Sequence, residues 1–269
     1  MLRPVLLSLT LLLCAVEPGR AETHTICTLV VEADNGAELA REGDCAGRMS
    51  PASTFKIAIA LMGFDSGVLK SPEEPELPYR KGYVDWRPEW REPATPARWM
   101  QYSVVWYSQR ITERLGPERF QAYVDAFDYG NRDLSGDPGK NNGLTQAWLS
   151  SSLQIAPDEQ IAFLRKLVSG RLPVNASAVE NTAAIMDHGL HTGGWRLYGK
   201  TGAGLPRGPD GKVVRGTPFG WFVGWASRDG RTVAFARLIQ DSARQKTPPG
   251  FRARDTLIVD LFTPGGLLD

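Results

Sequence analysis

Cysteine and histidine are both scarce in this 269-residue chain, three of each, and no block of like charges interrupts a sequence of formal net charge +1. Of His24, His188 and His191, only the last two lie close together, and no acidic or cysteine partner joins them. Metal-ligand spacing is therefore missing; no metal centre is expected, and the pair reads as surface-loop residues. The balanced charge offers nothing specific to nucleic acid or to an anionic membrane surface. An apolar run of about 20 residues, the length of a spanning helix, is also lacking. No internal repeat or low-complexity tract occurs.

What remains is the profile of an ordinary globular protein, 42% apolar and 23% charged, with enough apolar surface for a sizeable core. The first residues read as an export leader. Arg3 supplies the positive start, Pro4 to Val16 the short apolar stretch, and Gly19 and Ala21 the small residues before a cut after Ala21. That gives a leader over 1–21 and a single domain over 22–269, delivered to the periplasm or beyond. Lipidation at Cys14 is the alternative, disfavoured because Leu13 is not small. Export also bears on Cys27 and Cys45. They flank a hairpin pattern, an alternating stretch Thr25–Val31 and a turn at Ala33-Asp34-Asn35-Gly36, in a chain bound for an oxidising compartment. A structural Cys27–Cys45 disulfide is expected, with two buried thiols as the alternative.

Past the hairpin the pattern is helical. A helix starts at Ser53-Thr54 and runs through the apolar Ile57–Met62; residues 71–95 form a surface excursion; Thr95-Pro96 opens another helix. Helical patterns then cover Val104–Leu115, a stretch from Pro117 to Phe127, and Pro157 to Leu167, with a loop over Ser135–Gly143. Three strands follow, Trp195–Thr201, Gly220–Trp225 and Thr232–Gln240, and a last helix from about Ala253 to Phe262. The expected fold is α/β in the α+β sense: a mainly antiparallel sheet flanked by helices, with the middle of the chain inserted as a helical lobe.

Two short motifs carry chemistry. Ser53-Thr54-Phe55-Lys56 is an S-x-x-K that puts a serine hydroxyl and a lysine amine on one helix face, at the positive end of the helix dipole. Serine is a weak nucleophile until a neighbouring base takes its proton. Alone the motif reads as a capped helix with a solvated lysine one turn later. The apolar turn that follows argues instead for a buried lysine, which needs a reason. Lys200-Thr201-Gly202 ends a strand, offering a charge, a hydroxyl and a glycine that lets a ligand approach the backbone. Separately weak, the two together resemble the serine β-lactamase and penicillin-binding pattern.

The segments between them narrow the resemblance. Ser103-Val104-Val105, Tyr129-Gly130-Asn131, Trp148-Leu149 and Phe219–Trp225 are similar to class D, oxacillinase-type β-lactamases over essentially the whole mature chain. Val105 stands where class A enzymes carry an Asn. The resemblance implies hydrolysis of small-molecule β-lactams through a Ser53 acyl-enzyme, with Lys56 N-carboxylated by carbon dioxide or bicarbonate as general base and no other cofactor. It implies that Trp148 holds the carbamate, that Val105 and Leu149 shield it, and that Ser103 and Lys200 pass a proton to the ring nitrogen. The same resemblance implies that the Ser53 and Ala203 N–H groups form the oxyanion hole, and that Thr201, beside Gly202, joins Arg254, or failing it Arg252, in binding the substrate carboxylate. Tyr129 shapes the site, and Trp221 and Trp225 belong to the core. A penicillin-binding transpeptidase or carboxypeptidase, and a sensor domain that acylates without turnover, are the alternatives. Substrate spectrum and oligomeric state are not legible.

Overall fold

The computed structural model describes residues 21–269; the leader expected over 1–21, apart from Ala21, and Cys14 lie outside them. The chain opens with the expected hairpin, β1 (Thr23–Glu32) and β2 (Glu38–Gly43). Cys27 faces Gly43 across it, and a disulfide joins Cys27 to Cys45 just past the end of β2. Next comes a 3-10 turn, Ala52–Phe55, that leads directly into α1 (Lys56–Asp65). Nine of the ten α1 residues are buried, so this helix is core on every side.

The helical lobe follows. It comprises α2 (Pro96–Tyr102), α3 (Val105–Phe127), the short α4 (Gly143–Gln146), α5 (Pro157–Val168) and α6 (Ala176–Ile185). Thr95 caps α2, accepting from the Arg98 N–H, with Pro96 in its first turn as expected. The two helical patterns on either side of Gly116 are one element bent there: Gly116 has φ 76°, and Pro117 restarts the helix.

The last third returns to sheet with β3 (Asp187–Leu190), β4 (Arg196–Gly204), β5 (Phe219–Arg228) and β6 (Arg231–Asp241), and closes with α7 (Pro249–Phe262). The sheet order is β2-β1-β6-β5-β4-β3, and every adjacent pair is antiparallel. Chain start and chain end thus share one sheet, and the middle of the sequence is the insertion. One apolar cluster on the lobe side is built around α1 and includes Trp221 and Trp225; a second, including Trp195, Phe222 and Leu257, lies under α7.

Two expectations are corrected. The last third has four strands, not three, and His188 lies in the fourth, β3, not in a surface loop: its Nε2 sits 3.1 Å from the Gly199 carbonyl. The sequence Asp187-His188-Gly189-Leu190 carries no β-branched residue, so the strand forms from edge pairing with β4 rather than from propensity. His191, just past β3, stacks on Phe262 with ring centroids 4.9 Å apart.

Candidate active site

Ser53 sits on the turn where the chain passes from the hairpin into the buried α1. Ala52, immediately before it, holds φ 49°, a left-handed conformation unusual for a residue with a Cβ. Thr54 locks the turn: its hydroxyl donates to the Pro51 carbonyl at 2.7 Å and accepts from Gln160 Nε2 at 3.0 Å. Strand β4 packs against this turn so closely that a Cβ on Gly202 would lie 3.0 Å from the Pro51 carbonyl oxygen and 3.2 Å from the Thr54 nitrogen. That close approach, rather than any turn, is why the third residue of Lys200-Thr201-Gly202 is glycine. Gly250, in the first turn of α7, is packed against β4 in the same way, with the Gly202 carbonyl 2.5 Å from where its Cβ would be.

One turn beyond Ser53, Lys56 has no exposed surface. Its Nζ lies 3.3 Å from Ser53 Oγ. Burial, and next the charge of nearby Lys200, hold the Lys56 amine well below the ordinary lysine range. Lys200 is buried as well, its Nζ donating to the Thr201 carbonyl at 2.9 Å. Burial, followed by the charges of Arg87 and Arg254, lowers the Lys200 pKa to about 7. Burial thus shifts Lys56 toward the neutral amine, while Lys200 exchanges its proton near neutrality, both suited to proton transfer.

The cleft above Ser53 is lined by Ser103, Val105, Leu149, Thr201, Gly202 and Ala203, six of the residues expected there. Ser103 reaches it from the end of α2 in a left-handed conformation, φ 57°, its N–H donating to the Trp99 carbonyl. Tyr129 and Trp148 are wholly buried beneath, their rings 5.0 and 5.8 Å from that of Phe55. Tyr129 therefore packs rather than faces the cleft. Trp148 Nε1 is a buried donor with no partner among the described residues.

The loop bearing Trp148 and Leu149 is tied on both sides. Ser50 Oγ donates to the Trp148 carbonyl at 2.8 Å and accepts from the Ser150 N–H at 3.0 Å. Asn131, from Tyr129-Gly130-Asn131, donates to the Ser152 carbonyl at 2.8 Å and accepts from the Gln154 N–H at 2.9 Å. Asp137 accepts from Ser151 Oγ at 2.9 Å and from Arg207 at 2.8 Å, joining this loop to the one after β4.

The two arginines of α7 part company. Arg252 is spent on Asp241, a buried carboxylate, and on Thr23. Arg254 lines a hollow with Lys200, Thr201 and His188, beside Asp255 at 2.7 Å. Residues unforeseen from the sequence also line the cleft: Trp86, Arg87, Trp90, Gln101, Tyr102 and Phe251. Arg87 and Arg254 flank Phe251, 5.9 and 5.0 Å from its ring centre. The Trp86-Arg87-Pro88-Glu89-Trp90 run in an otherwise polar excursion was the available signal, since Trp86 remains exposed.

Known proteins decide what such a site belongs to. The family model for the penicillin binding protein transpeptidase domain matches residues 26–256. The β-lactamase OXA-9 of Klebsiella pneumoniae is 44% identical over 96% of this chain and 94% of that protein. OXA-1 of Escherichia coli is 39% identical over 88% and 84%. The crystal structure of OXA-427, a class D β-lactamase, superposes with TM-score 0.83 at 51% identity over 87% of this chain and 95% of that one. The chain belongs to the class D β-lactamases. As a class D β-lactamase it has the expected fold, an antiparallel sheet flanked by helices with the lobe that carries Ser53, Ser103 and Trp148 inserted between its strands.

Proposed function

We propose that this class D β-lactamase hydrolyses the β-lactam amide through an acyl-enzyme on Ser53. The observation that carries the reading is the buried Lys56 amine 3.3 Å from Ser53 Oγ. A lysine in that position cannot serve as a solvated surface charge, whereas a neutral amine can accept the serine proton.

The residues divide the work. Ser53 Oγ attacks the lactam carbonyl as its proton passes to the Lys56 side, and the Ser53 and Ala203 N–H groups receive the negative charge that develops on oxygen. The C–N bond then breaks, and Ser103, with Lys200 behind it, delivers a proton to the departing nitrogen. Thr201 and Arg254 hold the substrate carboxylate; Arg252 is unsuited because Asp241 already engages it. Water finally adds to the acyl carbon and frees Ser53.

The residues around Lys56 also suit a carboxyl group on its nitrogen. Burial disfavours the charged amine, Val105 and Leu149 flank the cleft above, and Trp148 Nε1 is a buried donor without a partner among the described residues. Added to Lys56 from carbon dioxide, that group supplies a general base for both the attacking serine and the later water. Trp148 would hold it, and Val105 and Leu149 would keep bulk water from it.

Removal of a leader over 1–21 and export of a single domain over 22–269 complete the reading. No helix among the described residues is long and apolar enough to cross a membrane. Purified residues 22–269 should hydrolyse a chromogenic cephalosporin, and Ser53→Ala should abolish it. Acylation without release of product would instead point to a transpeptidase or a sensor.

A further inference from the structure

Three hollows lie in line along β4. The first, at residues 199–201, holds Lys200, His188 and Arg254. The second is the cleft over Ser53, bordered by Thr201, Gly202 and Ala203. The third begins at Leu205, just past the strand's end. Arg87 and Pro248 line both the second and the third, so the two are continuous.

The third hollow is cationic. Arg215, Arg244 and Lys246 join Arg87 in its walls, and no acidic side chain lines it. Arg252 and Arg254 nearby are each paired with an aspartate, whereas these four cations make no ion pair among the described residues. Like charges gathered without counter-charge repel one another and raise the local concentration of anions. As solvated surface residues they would need no common wall. Their arrangement around a groove that opens into the cleft points to an anionic ligand. The field of Arg87 also reaches the site itself, being among the causes that lower Lys200.

The chemistry of the substrate says which anion. In a penicillin the scissile carbonyl carbon lies between two neighbours: the carbon bearing the acyl side chain, and the nitrogen next to the carbon bearing the ring carboxylate. With the carbonyl at Ser53 and Ala203, and the ring carboxylate toward Thr201 and Arg254, the acyl side chain extends toward Leu205. We infer that the groove of Arg87, Arg215, Arg244 and Lys246 is the acyl-side-chain subsite and selects side chains carrying a second negative charge, with Arg87 its innermost contact. The inference rests on the hydrolytic reading above and adds a specificity determinant to it.

The test is the ratio of kcat/KM for a penicillin with an α-carboxylated phenylacetyl side chain over that for benzylpenicillin, which lacks the second carboxylate. Arg87→Gln should lower this ratio about tenfold, the scale of one lost charge-assisted contact. Arg87→Lys should retain most of it, and Arg244→Gln combined with Lys246→Gln should lower it less. Raising the salt concentration should lower the wild-type ratio, since exposed charges are screened. An unchanged ratio in Arg87→Gln, or an equal fall for both compounds, would overturn the assignment. Should neither compound be turned over, the hydrolytic reading fails, and competition between the two to acylate Ser53 measures the same ratio. Acylation by neither would overturn both.

Discussion

The Nζ of Lys56 lies 3.3 Å from the hydroxyl of Ser53 inside a helix start that excludes solvent from the lysine altogether. A buried amine is a thermodynamic burden unless neutral, and burial together with the charge of Lys200 shifts Lys56 toward the neutral form. Lys56→Met is therefore expected to lower kcat/KM by about 10²–10⁴-fold, the usual range for loss of a general base. Urea unfolding should show stability held or raised, because no unpaired amine remains in the core. A large loss of stability together with activity would mean that Lys56 serves the fold.

Trp148 Nε1 is the buried donor without a partner, and Trp148→Phe removes it while keeping most of the ring contact with Phe55 and Phe120. Deacylation should slow about tenfold or more, and activity should become more dependent on added bicarbonate. In the wild type, lowering the pH favours the protonated Lys56 amine over its carboxylated form, so activity should fall and added bicarbonate should restore it. Indifference to bicarbonate at low pH would count against a carboxylated Lys56.

Lys200 carries a pH signature of its own. With its pKa lowered from 10.5 to about 7, the free enzyme loses the Lys200 cation as pH rises through that value. If the cation assists carboxylate binding and proton delivery, kcat/KM should decline on the alkaline side from about pH 7. Removing one repelling charge with Arg87→Gln should move that limb to higher pH. The sign for stability is the opposite: between about pH 7 and 10.5 the unfolded amine holds the proton that the folded one has lost, so stability rises with pH across that window. A flat profile from pH 7 to 9 would contradict the assigned role.

Cys27 and Cys45, separated by 18 residues, tie the middle of β1 to the end of the hairpin, and neither is among the residues that line the cleft. Replacing both with serine should lower unfolding stability by about 3 kcal/mol, the entropic scale for a loop of that length. Turnover of a chromogenic cephalosporin at low temperature should persist. Its loss in a folded variant would give the bridge a role in the site.

Much of this was legible in the sequence because the chemistry is local. Ser53 and Lys56 are one turn apart, and the apolar run after them announces burial; Lys200-Thr201-Gly202 lies within β4, which was legible from Trp195, Tyr198 and Thr201. The hairpin, the helix breaks at Gly116-Pro117 and the C-terminal sheet follow from turn residues and periodicity. What was not legible depends on distant pairings. Strand β3 has no propensity of its own, α6 is weakly amphipathic, and Asp137 meets Arg207 across 70 residues. Arg252 and Arg254 look alike in sequence, and only the buried Asp241 separates them. Arg87 lies in an irregular excursion with no periodicity to aim it, so its place on the cleft wall appears only in three dimensions.

The most direct measurement is the intact mass of the protein, followed in time after mixing with benzylpenicillin, with peptide mapping of any adduct. Hydrolysis through Ser53 requires an adduct of one penicillin that appears on the Ser53 peptide, then clears as substrate is exhausted and leaves full activity. An adduct that persists on Ser53, or that forms on any other residue, would contradict it.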